Sequence, residues 1–467
     1  MTERRVLHRA VALAAALLAS GCMSLAPRYE RPPAPVPSGF VGEAAGAANA
    51  TPAADIAWQQ YFGDARLKRL IAAALVNNRD LRIAVLNIEQ ARAQVQLRRA
   101  DLWPTVGVGL GLSRQPSVDR NTSGITSLYT AGLAVTAYEL DLFGRLRNLG
   151  DAAAAQLLAT EEARKTVQIS LIASVATTYL ASLADDELLR VTRDALVTRE
   201  ESFKLTKLKF DHGATSEIDF RLAESLLESA RVALAQQTRQ RQLDENALML
   251  LLGQSLPADL PPPLPVTSQQ MVADLPAGVP SEVLVRRPDV RAAEQQLIAA
   301  HANIGAARAA FFPRITLTGS VGTASTELSG LFKSGSLAWT FAPQLLLPLF
   351  DAGRNQANLD SAKVNREIAV AQYEKAIQTA FREVSDALAG RATLTEQVRA
   401  QRAQANAEAV RTRLAELRYS NGVASYLDVL DAQRSLFAAQ QAVVQTETLQ
   451  AQTLVVLYKV LGGGWTP

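Results

Sequence analysis

The chain has 467 residues, 48% of them hydrophobic and 20% charged, with a formal net charge of +3. That balance suits a folded chain rather than a disordered one. Interspersed charges of both signs give no reason to expect a nucleic-acid partner, and past the first residues no stretch approaches the apolar run of about 20 residues that a membrane-spanning helix needs.

Arg4, Arg5 and Arg9 precede an apolar core from Val11 to Ala19, the layout of an export signal spanning residues 1–21. The chain's single cysteine, Cys22, stands where cleavage would fall. The run Leu18-Ala19-Ser20-Gly21-Cys22 resembles a bacterial lipoprotein cleavage box, which implies a covalent lipid on Cys22. Ala19 holds the place where that box favours leucine. Residues 22–55 carry Pro27, Pro32, Pro33, Pro35 and Pro37; they cannot be helical and read as an extended strap.

Trp58 to Asn77 reads as a short amphipathic helix, with Leu67, Leu70, Ile71 and Leu75 on one face. Asp80 to Leu102 reads as a second helix, stopped by Trp103-Pro104. There the period changes from helical to two. Val106, Val108, Leu110 and Leu112 alternate with glycines and Ser113, and after a polar loop Tyr129, Ala131, Leu133, Val135 and Ala137 alternate with small residues. This is a β-hairpin over about 104–143. Asp151 to Asp211 follows without Gly or Pro, a helix of roughly 90 Å. It ends at Gly213, a position suited to a left-handed cap, and Glu217 to Leu252 returns as a second helix.

After a proline-rich linker, residues 254–288, the pattern repeats. Asp80, Pro104, Gly144, Arg145, Gly213, Asp219 and Gly253 recur as Asp289, Pro313, Gly353, Arg354, Gly422, Asp428 and Gly462, each pair 209 residues apart. Residues 56–253 and 289–467 are therefore two copies of one unit. The second copy has its hairpin over about 313–350, a long helix from Arg354 to Tyr419 broken at Gly390, and a return helix from Tyr426 to Leu461. The short helices of each half sum nearly to the long one, so they are expected to stack end to end beside it.

Four strands with one apolar and one small-polar face suit a membrane barrel, but four cannot close one. Several chains together could. A soluble coiled-coil scaffold with a β-hairpin head is the alternative.

The segments AARAAFFPRITLTGSVG, from Ala306 to Gly322, and RYSNGVASYLDVLDAQ, from Arg418 to Gln433, are similar to hallmark segments of the TolC-like outer membrane factor family. The run from Cys22 through Pro27, Tyr29 and Pro32 resembles its lipoprotein, OprM/NodT-type branch. The resemblance implies an α+β membrane channel, internally duplicated. Its four strands per chain would form a twelve-stranded β-barrel in a homotrimer, above a long antiparallel α-helical periplasmic barrel. It implies an efflux duct served by a periplasmic adaptor and an inner-membrane transporter of the RND type, in contact with outer-membrane lipid. An exit channel for type I protein secretion shares the fold.

The resemblance places the closed end of the tunnel at the hairpin tips. Asp428 and Asp431 match aperture aspartates, with Leu427 and Arg434 beside them. Tyr419 and Asp219 match a pair that holds the tips shut, although Ala424 stands where the family has an arginine. The tips Gly213 to Ser216 and Gly422 to Ser425 resemble adaptor-docking grooves. Ser425 and Asp428 are also spaced as a capping box, as are Ser216 and Asp219; Asp431, whose partner in the first half is Leu222, is not explained that way. His8, His212 and His301 are scattered, no P-loop or HExxH pattern occurs, and no enzyme site, metal or cofactor beyond the covalent lipid is expected. Asp185, Asp186 and Glu187 read as a solvated acidic cluster.

Overall fold

In the computed structural model the described residues are 24–37, 39–40, 52–116, 124–272, 275 and 284–465. The export signal and Cys22 lie outside them. Seven principal helices and four strands follow in order: α1 Ala65–Asn77, α2 Arg79–Ala100, β1 Val106–Pro116, β2 Ile125–Leu140, α3 Arg145–Asp211, α4 Glu217–Leu252, α5 Pro288–Ala309, β3 Arg314–Ser325, β4 Leu337–Leu346, α6 Arg354–Ser420 and α7 Tyr426–Val460.

The predicted helix over 58–77 is in fact two pieces, Trp58–Tyr61 and α1. The break follows from Gly63, whose N–H donates to the Gln270 carbonyl at 2.7 Å. A Cβ at Gly63 would lie 2.6 Å from the Gln270 Cβ, so the linker displaces the helix there. Asp64 restarts it, accepting from the Arg66 N–H at 2.8 Å. The long helix α3 starts six residues earlier than expected because the Asp141 carboxylate caps it, accepting from the N–H groups of Leu146 and Arg147. Helix α6 runs unbroken through Gly390. A Cβ there would meet the Thr453 Cγ2 at 2.9 Å, so this glycine serves close packing against α7 rather than a break.

The chain divides into two compact units, each taking equivalent stretches of both copies. One comprises the described residues within 1–33, 86–161 and 292–375 and contains the whole sheet. The sheet is antiparallel in the order β1-β2-β3-β4, so β1 and β4 carry its outer edges. Val108, Leu133, Val321 and Trp339 stand opposite one another across the four strands, all largely exposed. The adjacent row, Gly109, Gly132, Gly322 and Ala338, lies on the other face. One face is thus apolar and the other small, as the alternation predicts. The alternation does not continue to Ala137. A bulge between Val135 and Tyr138 shifts the register by one residue, with Ala137 at φ 53°. Tyr138 and Leu140 then share the apolar face with Leu317 and Ile315, and Glu139 turns to the small-residue face opposite Thr316.

The strap lies against the helices of this unit. Tyr29 donates to Glu294 at 2.8 Å and Arg31 grips the same carboxylate through two bonds of 2.6 and 3.0 Å. Tyr29 also meets His301 edge-on. Gly305 has no Cβ because the Ala26 nitrogen would be 2.7 Å from it.

The other unit comprises residues 34–85, 162–291 and 376–467. Its core gathers Tyr61, Phe62, Ile71, Leu180, Val384 and Tyr458, with the Tyr61 and Tyr458 rings stacked at 4.0 Å. Part of α3 passing through it has a mean hydropathy of 1.5 over 18 residues, more apolar than expected, and most of that window is buried.

End-to-end stacking of the short helices is visible at Asn78. Its Oδ1 accepts from the Leu81 N–H at the start of α2, and its Nδ2 donates to the Leu251 carbonyl at the end of α4. Arg287, 209 residues later, also bridges two helix ends: it donates to the Val460 carbonyl ending α7 and to the Asp289 carboxylate in the first turn of α5. Both side chains satisfy a carbonyl left free at a helix end, but only Asn78 also accepts from a first-turn N–H; the donor-only guanidinium of Arg287 reaches the next helix through the Asp289 carboxylate.

Candidate functional site

Both hairpin tips, in the same unit, are built by the same local rules. Gly213 and Gly422 each adopt φ 71°, a left-handed conformation in which a side chain is strained. The next N–H turns back five residues: Ala214 donates to the Lys209 carbonyl at 2.7 Å, and Val423 to that of Arg418 at 3.0 Å, closing the helix ends. Ser216 and Ser425 then cap α4 and α7, accepting from the N–H groups of Asp219 and Asp428.

The tip carboxylates separate into two kinds. Asp428 completes the capping box, accepting from the Ser425 N–H at 3.2 Å. Asp219 accepts from the Ser216 and Thr215 hydroxyls at 2.7 and 3.0 Å, and these hold its carboxyl below the usual carboxylate range. Asp431 makes no cap. It accepts from Arg411 across the hairpin at 2.5 Å and from Arg434 at 2.6 Å. The Arg411 guanidinium, ahead of Arg434, holds the Asp431 carboxyl below the usual carboxylate range. Its side chain keeps 38% of its surface exposed, and Leu427, one turn before it, is also open.

Tyr419 and Asp219 do not meet within the chain. Lys209 instead sits over the Tyr419 ring, 4.5 Å from its centroid, and donates to its hydroxyl. Asp219 is already committed to Ser216 and Thr215. The structure therefore brings together Asp431 and Arg434, sets Asp428 and Asp219 at helix starts, and ties Tyr419 to the first hairpin through Lys209.

Two residues escaped the sequence reading. Arg411 holds Asp431, and its signal was countable: the two lie equally far in sequence from Asn421 at the tip. Arg199 is buried on α3 with 6% exposure and donates to Gln433 at 3.0 Å, which donates on to Glu416. Burial lowers its hold on the proton. No periodicity marks it. The acidic cluster also proves mixed: Asp186 pairs with Arg241 and Glu187 with Arg190, but Asp185 is buried against α4 and accepts from Gln237 at 2.8 Å. Among the described residues no group of three or more metal-ligating side chains forms.

The sequence profile described as outer membrane efflux protein matches residues 70–254 and again 279–463, two stretches themselves 209 residues apart. The probable efflux pump outer membrane protein TtgC of Pseudomonas putida is 48% identical over 459 residues, covering 96% of this chain and 94% of that one. The outer membrane protein OprJ of Pseudomonas aeruginosa is 47% identical over 455 residues, with 96% and 94% covered. Among solved structures, the open state of the Neisseria gonorrhoeae MtrE outer membrane channel superposes with a TM-score of 0.86 at 43% identity, over 95% of this chain and 99% of that one. A membrane protein from Pseudomonas aeruginosa gives 0.88 at 46% identity, over 95% and 98%.

Proposed function

The chain belongs to the outer membrane efflux protein family, and we propose that it is the outer-membrane channel of a tripartite efflux pump, a passive exit duct for small molecules. The observation that carries this reading is the sheet. Its apolar face is bare and its edge strands lack partners among the described residues; in lipid such edges must be paired. Three chains supply twelve strands, close the edges, and turn the apolar face to lipid and the small-residue face to a lumen. The long helices and the end-joined short ones continue the duct into the periplasm.

In this reading the hairpin tips face a periplasmic adaptor that links the duct to an energised inner-membrane transporter of the RND type. Gly213 and Gly422 support it by leaving the tip backbones bare, with nothing within 4 Å of a would-be Cβ. Asp431, repeated by threefold symmetry, forms a ring at the periplasmic aperture in which each carboxylate is tied to Arg411 and Arg434; Leu427 flanks it. Asp428 belongs to the cap first. Cys22 carries the lipid anchor. Ser24, two residues on, donates to Asn148 in the first turn of α3, so the strap is fastened close to where the sheet meets the helices.

The trimer reconstituted in planar bilayers is expected to conduct. Deleting its gene is expected to raise susceptibility to small toxic compounds and to leave protein export unchanged. A non-conducting trimer would leave only the scaffold reading. Loss of a secreted protein with unaltered susceptibility would favour secretion.

A further inference from the structure

A cavity of about 260 Å³ lies where the sheet meets the helices. Its walls include Glu139, Arg145, Arg314 and Arg354, with Phe143 and Phe312 stacked at 4.7 Å beside them. Glu139 is almost fully buried and takes two arginines: Arg145 through paired bonds of 2.8 Å and Arg314 at 2.7 Å. The bulge in β2 turns Glu139 to the small-residue face, and Arg314, two residues before Thr316 in β3, shares that face. Both therefore look toward the lumen of the proposed duct, the reading on which this inference rests.

The duplication exposes an imbalance. Arg145 and Arg354 are equivalent positions, 209 residues apart. Glu139, the acid that neutralises Arg145, has Pro348 as its equivalent. Arg354 opens α6, is exposed, and has no carboxylate within ion-pair distance among the described residues. One buried carboxylate thus faces three guanidinium groups around a small cavity. Asp141, which also lines it, is committed to Arg147 and to the α3 cap. An excess of fixed positive charge in a confined space attracts anions and repels cations.

We infer that this junction is an anion-binding collar. Three copies of Arg354, backed by the Glu139–Arg314 pairs, hold small anions such as chloride or a carboxylate group in the lumen.

The test is the reversal potential of reconstituted trimers under a potassium chloride gradient, for wild type, Arg354→Gln and Arg354→Glu. The Arg354 side chain makes no hydrogen bond or ion pair among the described residues, and the neutral glutamine guards against misassembly of the glutamate variant. The potassium-to-chloride permeability ratio is expected to rise about threefold for the glutamine and about tenfold for the glutamate variant, the scale set by three charges some ångströms from a hydrated ion. Arg69→Glu, an exposed reversal beside the linker, is expected to leave it unchanged. A conducting wild type whose ratio is shared by both Arg354 variants overturns the collar and leaves the duct standing. An equal shift from Arg69→Glu overturns it too. A third overturning result is a carboxylate from a neighbouring copy found paired with Arg354 in the trimer. A wild type that does not conduct overturns the duct reading itself.

Discussion

At the scale of single residues, the same side-chain type serves opposite ends according to what surrounds it. Asp219 and Asp428 lie three residues into a helix start and spend their oxygens there. Asp431 lies one turn further, beyond the reach of the cap, and is left to two arginines. Asp431→Ala frees both guanidinium groups and removes the proposed ring, so the closed trimer is expected to leak severalfold more in bilayer recordings; an unchanged baseline current would reject the gate. Asp185 is the converse case. Burial first, and then the neighbouring Asp244, push its carboxyl up to about 7. A carboxyl raised in the fold contributes stability that is complete below its ordinary range and is lost as pH rises through the raised value. The thermal midpoint is therefore expected to fall between pH 5 and pH 8, and Asp185→Asn is expected to flatten that dependence. Asp431 was legible in the sequence because capping could not account for it. Asp185 was misread, since adjacent acids on a helix point to different sides and only packing reveals which one is buried.

At the scale of elements, sequence period decided type and contact decided boundaries. Strand alternation and the Gly-terminated hairpins fixed the strands and the tips to within a few residues, and α4 falls where the caps put it. The bulge in β2 was invisible, because Val135, Ala137 and Tyr138 all suit a strand; it exists to keep Tyr138 and Leu140 on the apolar face after a register change. Gly132 and Gly322 looked like ordinary small-face residues, yet they pack backbone to backbone. A Cβ at Gly322 would lie 2.1 Å from the Ala131 carbonyl oxygen, and a carbonyl in a ladder cannot move aside as a side-chain tip can. Gly322→Ala is expected to cost at least about 1–3 kcal/mol, read as a lower temperature at which the trimer dissociates on heating; unaltered heat resistance would reject the close approach of β2 and β3. At Gly390 an added methyl would crowd side-chain atoms alone, the Thr453 methyl most closely at 2.9 Å, so Gly390→Ala is expected to be far milder.

At the scale of the whole molecule, duplication is the organising fact. The two copies are divided between two compact units in equivalent stretches, and Asn78 and Arg287 join helix ends at the same place by different chemistry. Where the copies differ, their charge differs: Asp431, paired with Arg411 and Arg434, stands against Leu222 at the tips, and Pro348 against Glu139 at the sheet. By itself the sequence determined the duplication, the element types, the bare apolar face and the family, because these depend on local period and on motifs a few residues long. Only the tertiary structure decided which arginines hold Asp431, what Tyr419 touches, where Glu139 points and that Arg354 lacks an acid among the described residues. Each of these depends on the position of a side chain far away in the chain, and periodicity carries no information about that distance.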